Sequence, residues 1–213
     1  MADAIPVLDL APLLAGQPGA LESLGAQLRH AFTEVRFYFV RNHGVPDALV
    51  EAAFEAARRF HDQPLEAKLT MPFNEHNIGY LPVRSTTTRL NSLGAVQKPN
   101  LNEAVFFKRE LPADHPDVLA NRRFRGINQW PKNLPGFRAV VLDYCRAMEA
   151  LGKHLVPIYA VALDLPPHWF DDKFQEPMFT LRMTHYPQQD PMGPEDEWGL
   201  APHADTSFMT ILA

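Results

Sequence analysis

Near the C-terminal end of the sequence, "GLAPHADTSFMTILA" (199–213) places His203 and Asp205 two residues apart in an otherwise apolar, alternating run. In extended chain, residues i and i+2 point to the same side, so an imidazole and a carboxylate would stand next to each other. Both are ligands for a divalent metal. A second histidine would complete a set of two histidines and one carboxylate on an octahedral iron(II), leaving positions open for substrate and oxygen. The bland alternative is a histidine at a strand end, hydrogen-bonded to a neighbouring aspartate. Against it, a buried strand seldom tolerates two ionisable groups unless they are paired or metal-bound. A second His-x-Asp, at His115 and Asp117, lies in the acidic, proline-rich stretch "ELPADHPDVLANR". It reads as turn and helix-cap chemistry.

The elements that must position these groups are legible as periodicity. "IPVLDL" (5–10) reads as a strand. Leu21, Leu24, Leu28, Ala31 and Phe32 fall at helical spacing over 21–35. "FYFVRNHG" (37–44) reads as a strand and turn in which His43 has a structural role, and Pro46 opens a second helix to about Phe60. Short strands are expected at "NIGYLPV" and "EAVFFKREL", with Phe106 and Phe107 both in the core. "QWPKNLPGF" (129–137) leads into the longest helix, about 136–163. Its apolar stripe runs Phe137, Val141, Tyr144, Met148, Leu151, Leu155 and Ile158, with a kink expected at Pro157. A short helix is expected around "PPHWFDDKF", then strands at "MFTLRMTHY", "GLAPHAD" and "SFMTILA". Helices first and strands last predict an α+β chain with a C-terminal antiparallel core.

Composition narrows the function classes. Of 213 residues, 46% are hydrophobic and 21% charged, as in globular proteins, and the net charge of −5 provides no footprint for nucleic acid or an anionic membrane. Cys145 is the sole cysteine, which excludes an internal disulfide framework and a cysteine zinc site. "MADAIPVLDLAPLLAG" lacks the basic and continuous apolar regions of a signal peptide. No run approaches the roughly 18 apolar residues of a membrane helix, so the expected setting is cytoplasmic.

Five segments, in order along nearly the whole chain, resemble the isopenicillin N synthase-like group of iron(II)/2-oxoglutarate-dependent dioxygenases. "IPVLDL" resembles its opening strand, "FYFVRNHGVP" its "GFF…NHGV" strand and turn, and "NQWPKNLPGF" its approach to the long helix. "LRMTHYP" and "GLAPHADTSFMTIL" resemble the strand before the metal loop and the "GxxxHTDxxxLTLL" loop itself. The resemblance implies a helical N-terminal region (1–125) packed on a double-stranded β-helix, or jelly-roll, core that begins within 126–213. It implies iron ligation by His203 and Asp205, and cosubstrate binding by Tyr186, with Thr184 standing where many relatives have asparagine. Tyr80 and Arg84, with Arg89, fall where relatives line the substrate pocket, and Arg182 and His185 stand at the site mouth, His185 facing away from Tyr186.

The implied chemistry uses Fe(II), 2-oxoglutarate and O2. A small organic substrate is hydroxylated, desaturated or cyclised while 2-oxoglutarate becomes succinate and CO2. In the family a second histidine ligand, an arginine and a serine or threonine follow tens of residues downstream, whereas this sequence stops at Ala213. The expectation is therefore an incomplete version of a longer enzyme, with little turnover by the 213 residues alone. The alternatives are a truncated, non-catalytic binding or regulatory relative, and a cupin-type jelly-roll metalloprotein. A third ligand and an arginine beyond residue 213 would separate the first reading from the second, and the long N-terminal helical region stands against the cupin reading.

Overall fold

The computed structural model describes residues 4–87, 98–190, 194, 197–205 and 207–213; Arg89 and part of the acidic loop before Trp198 lie outside them. The chain forms two compact units, Met1–Leu49 with Asp143–Pro177 and Val50–Leu142 with Met178–Ala213.

In the first unit, β1 (Val7–Asp9) pairs in parallel with β2 (Phe39–Arg41). Asp9 ties three segments together: its carboxylate accepts from Arg41 Nε at 3.0 Å, Asn42 Nδ2 at 2.8 Å and the Ala11 amide at 3.0 Å, where α1 (Ala11–Leu14) begins. Helix α2 (Ala20–His30) buries Ala20, Leu24, Gly25 and Leu28; of the stripe its spacing predicts, Leu24, Leu28 and Ala31 are buried, Leu21 is half-buried and Phe32 is exposed. Gly25 is required by close approach: a Cβ there would lie 2.5 Å from Val161 Cγ1. Residues 31–35 widen into a π-helical turn that ends at Arg36, with φ +68°. The Tyr38 and Tyr159 hydroxyls meet at 2.9 Å, and Phe32 packs edge-on to both rings. His43 has the expected turn role, accepting from the Val45 amide at 3.1 Å.

The second unit is built on an antiparallel sheet of β3 (Gly79–Leu81), β4 (Glu103–Lys108) and β5 (Thr180–His185). Helix α3 (Asp47–His61) and the long α6 (Phe137–Ala162) match the sequence expectation to within a residue or two, and each contributes residues to both units. Phe107 stacks on Trp130 at 4.7 Å and 13°, and Phe137 lies 5.8 Å away. Phe60 sits 5.9 Å from both Tyr80 and Phe137, so one sheet face is sealed by rings. Each such ring stabilises by roughly 1.5–3 kcal/mol through burial. The His-x-Asp at 115–117 caps a single helical turn, α5 (Pro116–Leu119), as predicted. His115 Nδ1 accepts from the Asp117 amide at 3.1 Å, and Asp117 pairs with Arg122 and Arg125.

Three expectations change. The short helix near "PPHWFDDKF" is one 3-10 turn, Asp171–Lys173. Phe106 is only half-buried, because strand alternation turns it away from Phe107. "GLAPHAD" and "SFMTILA" are not strands among the described residues. A strand exists only where a neighbour supplies ladder partners, and this segment is held instead by isolated bonds, from the Leu101 amide to Trp198 O at 2.8 Å and from the Ala201 amide to Asn100 Oδ1 at 3.0 Å. No helix of the described residues is long and apolar enough to cross a membrane.

Candidate metal and cosubstrate site

The β4–β5 register sorts the sequence candidates by face. Glu103 pairs with His185, Val105 with Met183 and Phe107 with Leu181, while Ala104 pairs with Thr184 and Phe106 with Arg182. Alternation puts Arg182, Thr184 and Tyr186 on one face with Ala104 and Phe106, and His185 on the other. The expected opposition of His185 and Tyr186 holds.

His203 and Asp205 are brought together despite the missing ladder. His203 Nε2 lies 3.2 Å from Asp205 Oδ1, with side chains 37% and 51% exposed. Two ligand atoms each about 2.1 Å from one ion at a right angle stand about 3 Å apart, so the pair fits adjacent positions on an octahedral metal. His203 Nδ1 donates to the Ala201 carbonyl at 2.9 Å; a carbonyl only accepts, so Nδ1 carries a proton and Nε2 is the atom turned toward Asp205. Asp205 Oδ2 accepts from Thr210 Oγ1 at 2.5 Å, and Ser207 Oγ lies 3.1 Å from that hydroxyl. One carboxylate oxygen is thus fixed by Thr210 and the other faces His203 Nε2. Tyr186, half-exposed, lays its ring on the backbone of this loop: a Cβ on Gly199 would lie 2.8 Å from Tyr186 Cδ1. Thr184 shares that face.

Of the two substrate candidates, Arg84 reaches the metal loop through an ion pair with Glu197 at 3.4 Å; with 56% of its side chain exposed, the pair adds at most about 1 kcal/mol. Tyr80 is a correction. Its place opposite Val105 turns it to the ring-sealed face, where it is 2% exposed and its hydroxyl donates to Glu103.

That contact belongs to a cluster the sequence reading missed. Glu103, 4% exposed, accepts from Lys68 Nζ at 2.8 and 3.1 Å, from His185 Nδ1 at 2.8 Å and from Tyr80, with His61 Nδ1 at 3.5 Å. His61 Nε2 donates to the Met183 carbonyl at 3.1 Å. Burial opposes charge on Glu103, but the hydrogen bonds from Lys68, Tyr80 and His185 overcome it and hold the carboxyl at about 2. Burial lowers His61 and keeps it neutral; burial and the neighbouring carboxylate raise Tyr80. His61, Glu103 and His185 offer metal-ligand atoms within 4.8 Å of one another. Lys68 already neutralises the carboxylate at the place a cation would occupy, so the cluster fits a buried ionic network and not the iron centre. The available signal was a glutamate opening an apolar strand, since a buried carboxylate demands a partner.

Residues 5–133 match the family model described as non-haem dioxygenase in morphine synthesis N-terminal. The chain is 31% identical to the 2-oxoglutarate-Fe(II) type oxidoreductase hxnY of Emericella nidulans, over 97% of this chain and 60% of the relative. It is 31% identical to clavatol oxidase claD of Penicillium crustosum, over 98% and 65%. The chain therefore spans less than two thirds of the length of these relatives. Among solved structures, a 2OG-Fe(II) oxygenase family protein of Caulobacter crescentus is similar in fold, with TM-score 0.72 and 23% identity over 88% of this chain and 58% of that one. JOX2, solved with 2OG, Fe and JA, is 25% identical with TM-score 0.68 over 96% and 54%. With well over half its length under the family model, the chain belongs to the non-haem dioxygenase N-terminal family, within the iron(II)/2-oxoglutarate-dependent oxygenase superfamily.

Proposed function

We propose that this chain is part of a non-haem Fe(II), 2-oxoglutarate-dependent oxygenase that oxidises a small organic molecule, and that 126–213 opens a double-stranded β-helix behind a helical region at 1–125. The carrying observation is the His203–Asp205 pair, with Nε2 and Oδ1 at 3.2 Å and each residue's remaining polar atom already committed. Iron with 2-oxoglutarate and O2 would supply the oxidising power, giving succinate and CO2 alongside oxidised substrate.

The chain's own groups hold and orient. His203 presents Nε2 because Ala201 fixes its tautomer, and Asp205 is held by Thr210. Tyr186 offers its phenol, and Thr184 its hydroxyl, to a cosubstrate carboxylate on the same face. Arg84 stands at the rim, beside Glu197. The single buried thiol, Cys145, suits a reducing, cytoplasmic setting.

The test is anaerobic titration with Fe(II) and 2-oxoglutarate, reading the visible charge-transfer absorption of the chelate, followed by succinate formation in air. Both signals are expected from the full-length enzyme of which this chain is part, and lost in its His203→Ala and Asp205→Ala variants. Succinate formation that survives both substitutions would overturn the assignment.

A further inference from the structure

On the face that carries Tyr186 and Thr184, Arg182 has no carboxylate partner among the described residues. Its guanidinium lies 5.5 Å above the Phe106 ring, and Nη2 donates to Asn102 Oδ1 at 3.3 Å. Among the described residues that is its one hydrogen bond, and Nε is buried without a partner there. Asn102, 2% exposed, likewise has an amide nitrogen with no partner among the described residues. Two buried donors in contact, both unsatisfied, is costly, since each such group forfeits about 1–3 kcal/mol. An acceptor delivered from outside removes that cost.

The place of the guanidinium in the fold says what kind of acceptor. From its place opposite Phe106 it reaches past the small side chains of Ala104 and Thr184 to Asn102, the residue before β4, with Ala104 fully buried beneath this span. It shares its face with Tyr186, whose ring lies on the Gly199 backbone of the loop that carries His203 and Asp205. Its planar fork matches a carboxylate, and Phe106, with Phe73 edge-on at 5.1 Å, forms an aromatic floor beside it.

We propose that Arg182 and Asn102 form a carboxylate-binding subsite for the primary substrate, which is therefore a small organic acid whose apolar body lies on Phe106. This rests on the oxygenase reading only in calling that acid the substrate. The other source of the same chemistry is 2-oxoglutarate itself.

The test uses the metal-free chain, with benzoate as probe and benzamide as its neutral isostere, read by calorimetry and by the NMR signal of the Arg182 Nε–H. Benzoate is expected to bind at least about tenfold tighter than benzamide, the value of one charge-assisted hydrogen bond, and to shift the Nε–H signal. Arg182→Gln should abolish the preference while leaving 2-oxoglutarate affinity, measured with Mn(II), within about twofold. Equal binding of the two probes, or an unmoved Nε–H signal, overturns the subsite without mutagenesis and whatever the variant's folding. Displacement of benzoate by 2-oxoglutarate in the metal-free chain, with loss of 2-oxoglutarate affinity in Arg182→Gln, overturns the assignment to substrate. Failure of the oxygenase reading would show separately, as absent Fe(II) and 2-oxoglutarate binding with the benzoate preference intact.

Discussion

Thr210 touches no proposed ligand of its own, yet its hydroxyl determines which oxygen of Asp205 faces His203. Groups that orient metal ligands commonly contribute 10–100-fold in affinity. Thr210→Val should therefore weaken Mn(II) binding by about that factor, measured by titration of the free-ion paramagnetic signal, with Thr210→Ser restoring most of it. Glu103 gives a second prediction. Its folded pKa of about 2 lies below the ordinary 4.5, so its stabilisation is fully present above 4.5 and is lost as pH falls toward 2. His61, lowered by burial, acts in the same direction from higher pH: the unfolded chain takes up a proton below about 6.5 that the folded chain resists. Stability in urea should fall steadily from pH 6.5 downward. Glu103→Gln should remove the part between 4.5 and 2, and at pH 7 should cost about 3–5 kcal/mol by leaving the Lys68 ammonium buried without its partner. A flat profile across the acid range would contradict the network.

At the level of elements, the two faces of strand β4 do different work. Phe107 is sealed among Trp130 and Phe137, whereas its neighbour Phe106 is half-exposed beside Arg182. Phe107→Ala should destabilise by about 3–5 kcal/mol, the range for a buried ring. Phe106→Ala should cost under about 1.5 kcal/mol and instead weaken benzoate binding. Equal losses of stability at the two positions would refute the facing derived from the register.

At the level of the whole molecule, ligand and fold are linked: a ligand held by the native state alone raises stability by about 2.7 kcal/mol at a hundredfold excess over its dissociation constant. Mn(II) with 2-oxoglutarate should raise the melting temperature, and His203→Ala should abolish the rise while changing the metal-free melt little, since His203 is over a third exposed and its contacts, a hydrogen bond to Ala201 and an exposed pair with Asp205, contribute at most about 1 kcal/mol each. The sequence alone determined what depends on near neighbours: the order of helices and strands, the cap at His115, the turn at His43, and the pairing of His203 with Asp205. These are set by periodicity and by bonds reaching two or three residues. The tertiary structure decided what depends on distant ones. Lys68 meets Glu103 across 35 residues and His61 meets Met183 across 122, separations that no local pattern encodes. Tyr80 went to the sealed face and Arg182 to the open one because pairing register assigns faces, and register is fixed only when the strands meet. The described residues of 199–213 bring His203 and Asp205 together without forming a strand, because side-chain spacing is a property of the sequence while a ladder is a property of the neighbour.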